Sequence, residues 1–282
     1  MATLLTDKID LSIVIPAYNE QYRIGKTLDD YLAFFDTKLK GKYQILVVLN
    51  GCKDKTLEII LDYKKHHPNL NYLDIKEAIG KGGALTEGFK IATGKIVGFT
   101  DADGSTSPKM FLKLYDILSN LPQIDCIIGS RNLPQSVVLG RTSSRKIMTA
   151  GFNFGVNFMF NLNIKDTQCG AKLVRKPMIK KIVNNLSVAN MAFDVNLLVD
   201  IKRNGGQTLE IPITWEDTED SSINNPIKTS LAMALSVVRL RLIYSPFKFL
   251  YPILNTISRP FYKLLIGNDQ NRNYQDFKQH QS

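Results

Sequence analysis

The strongest constraint on what this chain can fold into is a rhythm in its first 130 residues. Short apolar runs, LSIVI (11–15), YQILVVL (43–49), LNYLDI (70–75), KIVGFT (95–100) and IDCIIGS (124–130), alternate with helical patterns. These begin near Glu20, Lys53 and Ser107, and one runs through ALTEGFKIA. Strand and helix taking turns predict an α/β domain built on an open, mostly parallel sheet covered by helices. Ligands on such sheets bind beyond the carboxyl ends of the strands. Pro16, Ala17, Tyr18, Asn19 and Glu20 leave the first strand, Asn50 and Gly51 the second, and Asp101 with Asp103 the fourth. Their convergence predicts one polar crevice.

The sharpest feature of that crevice is GFTDADGSTSP (98–108), an apolar run ending in two carboxylates with one alanine between them. In an extended chain, side chains two apart project to the same side, where like charges repel unless a cation separates them. Oxygen-only ligation suits a hard cation such as Mg2+ or Mn2+, with coordination positions left for phosphate oxygens. An isolated D-x-D is more often a polar turn; convergence with two other strand ends raises this one above that. No G-x-G-x-x-G follows the first strand, and GKGGAL (80–85) lacks Walker spacing, which argues against a conventional dinucleotide enzyme or nucleoside triphosphatase.

At 282 residues, 44% hydrophobic and 22% charged, the chain has enough apolar material for a sizeable core. Cys52, Cys126 and Cys169 are odd in number and without zinc-like spacing, which suits a reducing compartment rather than a disulfide framework. The opening MATLLTDK has no long apolar stretch, and the end GNDQNRNYQDFKQHQS reads as frayed. A net charge of +10 predicts an acidic partner: nucleic acid, an anionic membrane surface or a phosphorylated substrate. The basic residues form no nucleic-acid recognition motif. They punctuate an apolar segment instead: between Ser221 and Asn268 there is no Asp or Glu, while Lys228, Arg239, Arg241, Lys248, Arg259 and Lys263 interrupt Leu, Ile, Phe and Tyr. Leu231, Leu235, Val238 and Leu242 form one helical stripe, and Met233, Val237, Leu240 and Tyr244 the opposite one. A helix apolar on two faces can pack on the protein and meet lipid at once, with its arginines snorkelling to head groups; a buried core helix is the alternative. Beyond it, Pro246, Pro252 and Pro260 interrupt the chain too often for a spanning helix.

Over roughly residues 9–245 the chain resembles the family 2 glycosyltransferases, which have the GT-A fold. The motifs are SIVIPAYNE (12–20), VVLNGCKDKT (47–56), GKGGALTEGFKIATG (80–94) and DADGS (101–105). GSR (129–131), RTSSRKIM (141–148), DTQCGAKL (166–173), FDVNLL (193–198) and EIPITWED (210–217) are similar to the dolichyl-phosphate glucosyltransferases and their polyprenyl-phosphate relatives. The resemblance implies a catalytic domain over 9–220 after an extension at 1–8, a membrane-associating amphipathic segment at 221–266 and a polar tail at 267–282.

It also implies roles. Asp101 and Asp103 would hold the cation of a nucleotide-sugar diphosphate, with Ser105 a further oxygen ligand. Pro16, Ala17, Tyr18 and Glu20 would line the nucleotide pocket, Pro16 and Tyr18 serving equally well as packing residues, and Asp54 would support the second loop. Where relatives carry Asp-Asp before Gly-Ser, this chain has Leu49 and Asn50 before Gly51 and Cys52. An Asn oxygen can accept the uracil N3 hydrogen without charge assistance, so uridine diphosphate is the expected donor carrier and guanosine diphosphate the alternative. Lys81 either touches the donor or faces solvent from a loop.

A sugar hydroxyl acceptor benefits from a carboxylate base, whereas a lipid monophosphate brings its own anionic oxygen and needs cations. Arg131, Arg141 and Arg145 are the cations expected at a phosphate, since guanidinium matches phosphate in a bidentate manner. Asp166 and Gln168, in DTQCG, are expected at the acceptor side, Asp166 orienting it or capping a turn. Cys169 reads as a packed residue, because inverting transfer needs no covalent enzyme intermediate. The expected activity is metal-dependent transfer of a hexose, glucose from UDP-glucose first, to dolichyl or polyprenyl phosphate. It would act peripherally on the cytoplasmic face of the endoplasmic reticulum or plasma membrane. Mannosyl transfer to the same lipid class is the enzymatic alternative. An inactive membrane-surface scaffold, suggested by Leu49 and Asn50, is the alternative of another class. The sequence sets no oligomeric state.

Overall fold

The computed structural model describes residues 9–140, 142–216 and 226–250, with residues 253, 256–258, 260, 264, 274 and 278. The expected alternation is present. β1 (Leu11–Ala17), β2 (Tyr43–Asn50), β3 (Leu70–Ile75), β4 (Ile96–Phe99) and β5 (Cys126–Ser130) are separated by α1 (Ile24–Leu39), α2 (Thr56–His66), α3 (Gly80–Ile91) and α4 (Pro108–Asn120). The second half adds β6 (Val137–Leu139), α5 (Ser143–Phe160), β7 (Lys172–Arg175), α6 (Lys176–Ile182), α7 (Phe193–Arg203), β8 (Thr208–Pro212), β9 (Thr214–Glu216) and α8 (Pro226–Ile243). Seven strands form one sheet in the order β3-β2-β1-β4-β7-β5-β8, and β6 pairs with β9 in a small second sheet.

The central strands read as unbroken apolar runs because both sheet faces are covered. Leu11, Ile13, Val14 and Ile15 of β1 are all fully buried. One face packs Val14, Phe99, Phe89 and Phe193 beneath α3 and α7; the other packs Ile13, Leu28, Phe35 and Phe111 beneath α1 and α4. Helix α1 buries Ile24, Leu28, Tyr31, Leu32 and Phe35, the spacing of a single helical stripe. Helix α4 starts where expected, because Ser107 caps the Met110 amide and Pro108 occupies the first turn.

One topological feature positions the site. β7 runs antiparallel to both β4 and β5, while the other pairs of the large sheet are parallel. It therefore enters the sheet at the end where its neighbours leave it. The register Phe99↔Lys172 carries on to set Asp101 level with Gly170, and Ile128↔Lys172 sets Arg131 level with Cys169. The DTQCG loop thus descends between the carboxyl ends of β4 and β5.

Helix α8 buries Val237 and Leu240 against Val156 of α5 and Val195 and Val199 of α7, while Leu231 and Val238 are exposed. Arg239 departs from the expectation. It is buried and its guanidinium donates to the Ser258 hydroxyl, so it ties α8 to the next segment instead of snorkelling outward. Arg259, Lys263 and Pro252 lie outside the described residues. Among the described residues no helix is long and apolar enough to cross a membrane.

Among its described residues the expected frayed end is anchored: Tyr274 is fully buried in the main core, against Gly83 of α3, its hydroxyl donates to Glu87 at 3.0 Å, and Lys278 donates to the Leu186 carbonyl at 3.2 Å. Removing an aromatic ring from such a position costs about 3 kcal/mol. Tyr274→Ala is therefore expected to lower the urea midpoint measurably, and a midpoint unchanged from wild type would show that this contact does not anchor the chain end.

Candidate active site

The carboxyl ends of β1, β2 and β4 converge because their registers align them. Ala17 pairs with Leu49 and Val14 with Phe99, which brings Tyr18, Asn50 and Asp101 to one edge. The aspartate stretch itself is not extended, in contrast to the sequence expectation. β4 ends at Phe99, residues 102–103 form a turn, and Gly104 has φ of 73°. A residue with a Cβ is strained there, which is why glycine follows the pair. The two carboxylates consequently take different partners. Asp101 Oδ1 lies 2.5 Å from the ammonium of Lys81, whereas Asp103 Oδ1 accepts from the amide of Ser105 at 3.0 Å and its hydroxyl at 2.5 Å. Ser105 is buried and holds Asp103 in place. Helix α1 supports the turn from beneath, through Thr27 to the Ala102 carbonyl at 2.7 Å and Tyr31 to the Thr106 carbonyl at 2.8 Å.

Glu20 enters the same electrostatic neighbourhood. Burial pushes its carboxyl above the ordinary value, the bidentate Arg23 opposes that, and Asp103 and Asp101 add to it. Glu20 and Asp101 thus have cationic partners, while Asp103 is in no ion pair among the described residues. Among the described residues no group of three or more His, Cys, Asp or Glu gathers as a metal site; Asp101 and Asp103 are the hard oxygen donors the turn offers, and a divalent cation there would take its other ligands from elsewhere.

The residues expected on the nucleotide side also lie together. Tyr18 is 53% exposed, so it is not a core packing residue, and Pro16 and Ala17 precede it at the end of β1. Asp54 accepts from the Gln21 amide, the Thr56 amide and the Thr56 hydroxyl, which in turn accepts the Glu20 amide. This network joins the first and second loops. Asn50 is buried and its Oδ1 accepts the Ile79 amide at 2.7 Å, tying β2 to the start of α3; Leu49 is core. Lys81 is neither in a loop nor facing solvent. It belongs to α3, because GKGGAL forms the first turns of that helix: a Cβ on Gly82 would stand 2.3 Å from the Val188 carbonyl, so only glycine fits.

Across β7 lies the second cluster. Arg131 grips Asp166 in a two-pronged pair, Nε to Oδ2 at 2.7 Å and Nη2 to Oδ1 at 2.9 Å, and its amide donates to the same carboxylate. The guanidinium stacks 5.1 Å from the Trp215 ring. Burial alone would raise the Asp166 carboxyl, but Arg131 outweighs it and holds the group below the ordinary carboxylate range. Glu210 of β8 accepts the amides of Lys165 and Asp166, and Asn153 of α5 accepts the Thr167 amide, so the loop is fixed from both sides. Gln168 reaches from it to Met233 of α8. Arg141 and the side chain of Arg145 lie outside the described residues. Cys169 is fully buried and burial pushes its thiol up to about 12, which leaves it a protonated packing residue.

Between the clusters stands Gly170, which sequence reasoning passed over. A Cβ there would lie 2.2 Å from Asp101 Oδ2. Gly170→Ala is expected to keep the fold, since the obstructing atom is a side-chain tip, and to turn Asp101 away, lowering transfer about a hundredfold, the cost of a misplacement near 1 Å. Wild-type turnover in a folded Gly170→Ala protein would remove Asp101 from the chemistry.

The model of glycosyl transferase family 2 matches residues 12–183. The chain belongs to glycosyl transferase family 2. The dolichyl-phosphate beta-glucosyltransferase of Dictyostelium discoideum is 34% identical to this glycosyltransferase over 248 residues, 84% of this chain and 76% of that protein. The protein of the same name from Drosophila melanogaster is 35% identical over 226 residues, 76% and 69% of the two chains. The one from Homo sapiens is 31% identical over 245 residues, 83% and 75%. Among solved structures, glucosyl-3-phosphoglycerate synthase from Mycobacterium tuberculosis in complex with UDP superposes with a TM-score of 0.60 at 17% identity, over 84% of this chain and 80% of that one. Its complex with Mn2+, UDP-glucose and phosphoglyceric acid gives the same TM-score and coverage. The glycosyltransferase therefore has the GT-A fold that its motifs led one to expect.

Proposed function

We propose that this glycosyltransferase moves glucose from UDP-glucose to dolichyl phosphate, or to a polyprenyl phosphate of the same class, with inversion and with Mg2+ or Mn2+ held by Asp101 and Asp103. The observation that carries the reading is the placement of the two clusters on either side of β7, with the carboxylate turn facing Gly170 from one flank and the Arg131–Asp166 pair set on the other. A diphosphate donor and an anionic acceptor can meet over that glycine. The names of the relatives support glucose and dolichyl phosphate in particular, and the Mn2+ and UDP-glucose in the solved synthase support the donor and the cation.

When bound, the cation would neutralise charge on the leaving nucleoside diphosphate. The chain's own groups do the rest. Tyr18 and the Glu20–Asp54 network shape the nucleotide side, Lys81 stands beside the diphosphate position, and Asn50 has a second lone pair for a base donor. Asp166, locked by Arg131 and held ionised, is a poor proton acceptor. That suits an acceptor whose attacking oxygen is already anionic and needs no base. Arg131, rigid between Asp166 and Trp215, is the proposed guide for the acceptor phosphate, with Arg141 and Arg145 following it in sequence and Gln168 beside Asp166. The test is transfer from radiolabelled UDP-glucose, UDP-N-acetylglucosamine and GDP-mannose to dolichyl phosphate. Labelled lipid from UDP-glucose alone is expected; label from GDP-mannose alone would make the protein a mannosyltransferase.

The lipid acceptor places the enzyme on a membrane, and we assign it peripherally to the cytoplasmic face of the endoplasmic reticulum. Exposed apolar side chains support this: Phe154 and Phe158 of α5 are 74% and 84% exposed, and Leu231, Val238, Phe247 and Phe249 are also open. Inserted apolar groups contribute binding that salt does not remove, whereas each nearby cation such as Lys248 adds about 1 kcal/mol that salt screens. Phe154→Ser/Phe158→Ser is expected to reduce sedimentation with anionic vesicles even in high salt. Unaltered binding would remove α5 from the membrane-facing surface.

A further inference from the structure

A recess of about 220 Å3 lies where α5, α7 and α8 end together. It is lined by apolar side chains, Met159, Phe160 and Leu162 among them, and by three cations: Lys202 and Arg203 from the last turn of α7 and Arg241 from the last turn of α8. All three cations are exposed, so an anion can reach them from solvent. Cations in a last turn complement the helix dipole, and Lys202 does so, donating to the Asn161 carbonyl just past α5. Arg203 stands 4.3 Å from the Tyr244 ring centre, and Arg241 has no hydrogen-bond or ion-pair partner among the described residues. Asp200, which Arg203 influences at longer range, is buried, and its oxygens accept the Tyr244 hydroxyl and the Asn196 amide, each at 2.6 Å. Among the described residues none of the three cations is ion-paired.

Three cations without ion-pair partners, set beside apolar side chains, complement an anionic head group with an acyl chain attached, and guanidinium groups match phosphate in particular. Pockets that enclose a drug-sized molecule run upward from about 300 Å3, so this one takes a head group and leaves most of its chain outside. The exposed apolar side chains proposed above to meet the membrane flank it. Phe158 immediately precedes Met159, and Phe247 and Phe249 follow shortly after Tyr244, which also lines the recess. The acceptor cluster lies elsewhere: Gln168 meets α8 at Met233, about 12 Å along the helix from Arg241. Resting on the peripheral membrane placement proposed above, we infer that this recess holds the phosphate of an anionic phospholipid, at a site separate from that of the lipid acceptor. Lys202, Arg203 and Arg241 supply the charge, and Met159, Phe160 and Leu162 meet the first methylenes of the chain. A bound lipid thereby fixes which face of the enzyme lies on the membrane, which the diffuse attraction of a chain with net charge +10 does not.

The test uses the full chain and dihexanoylphosphatidylserine below its micelle concentration, followed by NMR. Saturation of one site is expected, with shifts at Tyr244 and Met159, while inorganic phosphate at the same concentration and ionic strength should shift neither. Arg203→Gln/Arg241→Gln is expected to weaken that binding, and sedimentation with phosphatidylserine vesicles, by about thirtyfold, the loss of two cations close to an anionic surface. Binding to phosphatidylcholine vesicles should not change. Lys180→Gln/Lys181→Gln removes the same charge from exposed positions of α6 and should bind as wild type. Since Arg203 stacks on Tyr244, Arg241→Gln alone is the second variant, with an expected loss of about fivefold. Equal losses in the α6 pair would reduce the effect to net charge, and an equal response to inorganic phosphate would make the recess a free-anion site; either result overturns the inference. Displacement of the short-chain lipid by citronellyl phosphate would also overturn it, by making the recess part of the acceptor path. If the wild type binds anionic vesicles and the double variant binds them equally well, the site is overturned and the peripheral placement stands. A wild type that binds no vesicle overturns both.

Discussion

Asp103→Asn lowers glucose transfer at saturating UDP-glucose by on the order of a thousandfold, the loss expected when several kcal/mol of charge stabilisation at the leaving diphosphate disappear. Asparagine is the informative substitution. It keeps an oxygen for the Ser105 amide and hydroxyl, so the turn survives, and removes only the charge that has no ion-pair partner among the described residues. Alanine would remove both. Asp101→Asn should be nearly as severe, and it also frees Lys81 from its carboxylate. Turnover is to be measured with dolichyl phosphate across a range of Mn2+ and Mg2+ concentrations, with circular dichroism as the check on folding. A folded Asp103→Asn enzyme with wild-type turnover would remove the carboxylate turn from the catalytic machinery.

The second large effect concerns Arg131, where the proposed acceptor role and stability are joined. Its partner Asp166 has a fully buried side chain, so Arg131→Ala strands a carboxylate in the interior and is expected to cost about 3 kcal/mol or more. Activity toward the lipid phosphate should fall further than UDP binding does, and lysine should rescue only in part, because it lacks the planar fork that meets both Asp166 oxygens. The pH dependence gives an independent check. Asp166 is held below its ordinary value in the folded protein, so its contribution is complete above the unfolded carboxylate range and is lost as pH falls through the depressed value. In Arg131→Ala, burial acts without that opposition and the carboxyl protonates more readily. The difference in melting temperature between wild type and variant should therefore be widest near neutrality and narrow below about pH 4. A difference that stays constant across that range would show that the pair contributes nothing electrostatic to the fold.

Much of the frame could be read from local pattern. β3 spans the residues of LNYLDI as expected, Ser107 caps α4 as expected, and the aspartate pair follows the end of β4, one of three converging strand ends. These properties are carried by neighbouring residues: apolar runs report buried strands, caps report helix starts, and a carboxylate pair reports local charge. The family motifs likewise are short contiguous strings, and so they survive in a single sequence.

What the sequence did not disclose depends on which residues meet across the sheet. Arg131 and Asp166 are both conspicuous, yet nothing across their 35-residue separation says that they pair. That contact exists because β7 enters antiparallel between β4 and β5. The same strand brings Gly170 against Asp101 and buries Lys172 beneath Phe99, beside Asp194. For Lys81 a solvent-facing loop stood open beside a donor contact, because glycines weaken a helical pattern, whereas the close approach of Val188 and Phe193 makes Gly82 a packing requirement of α3. Residue type and spacing by themselves determined the layered α/β frame and the chemistry available at its strand ends. The strand order, which fixes the distances between charges far apart in the chain, decided which of those groups are matched in ion pairs and, among the described residues, which is not.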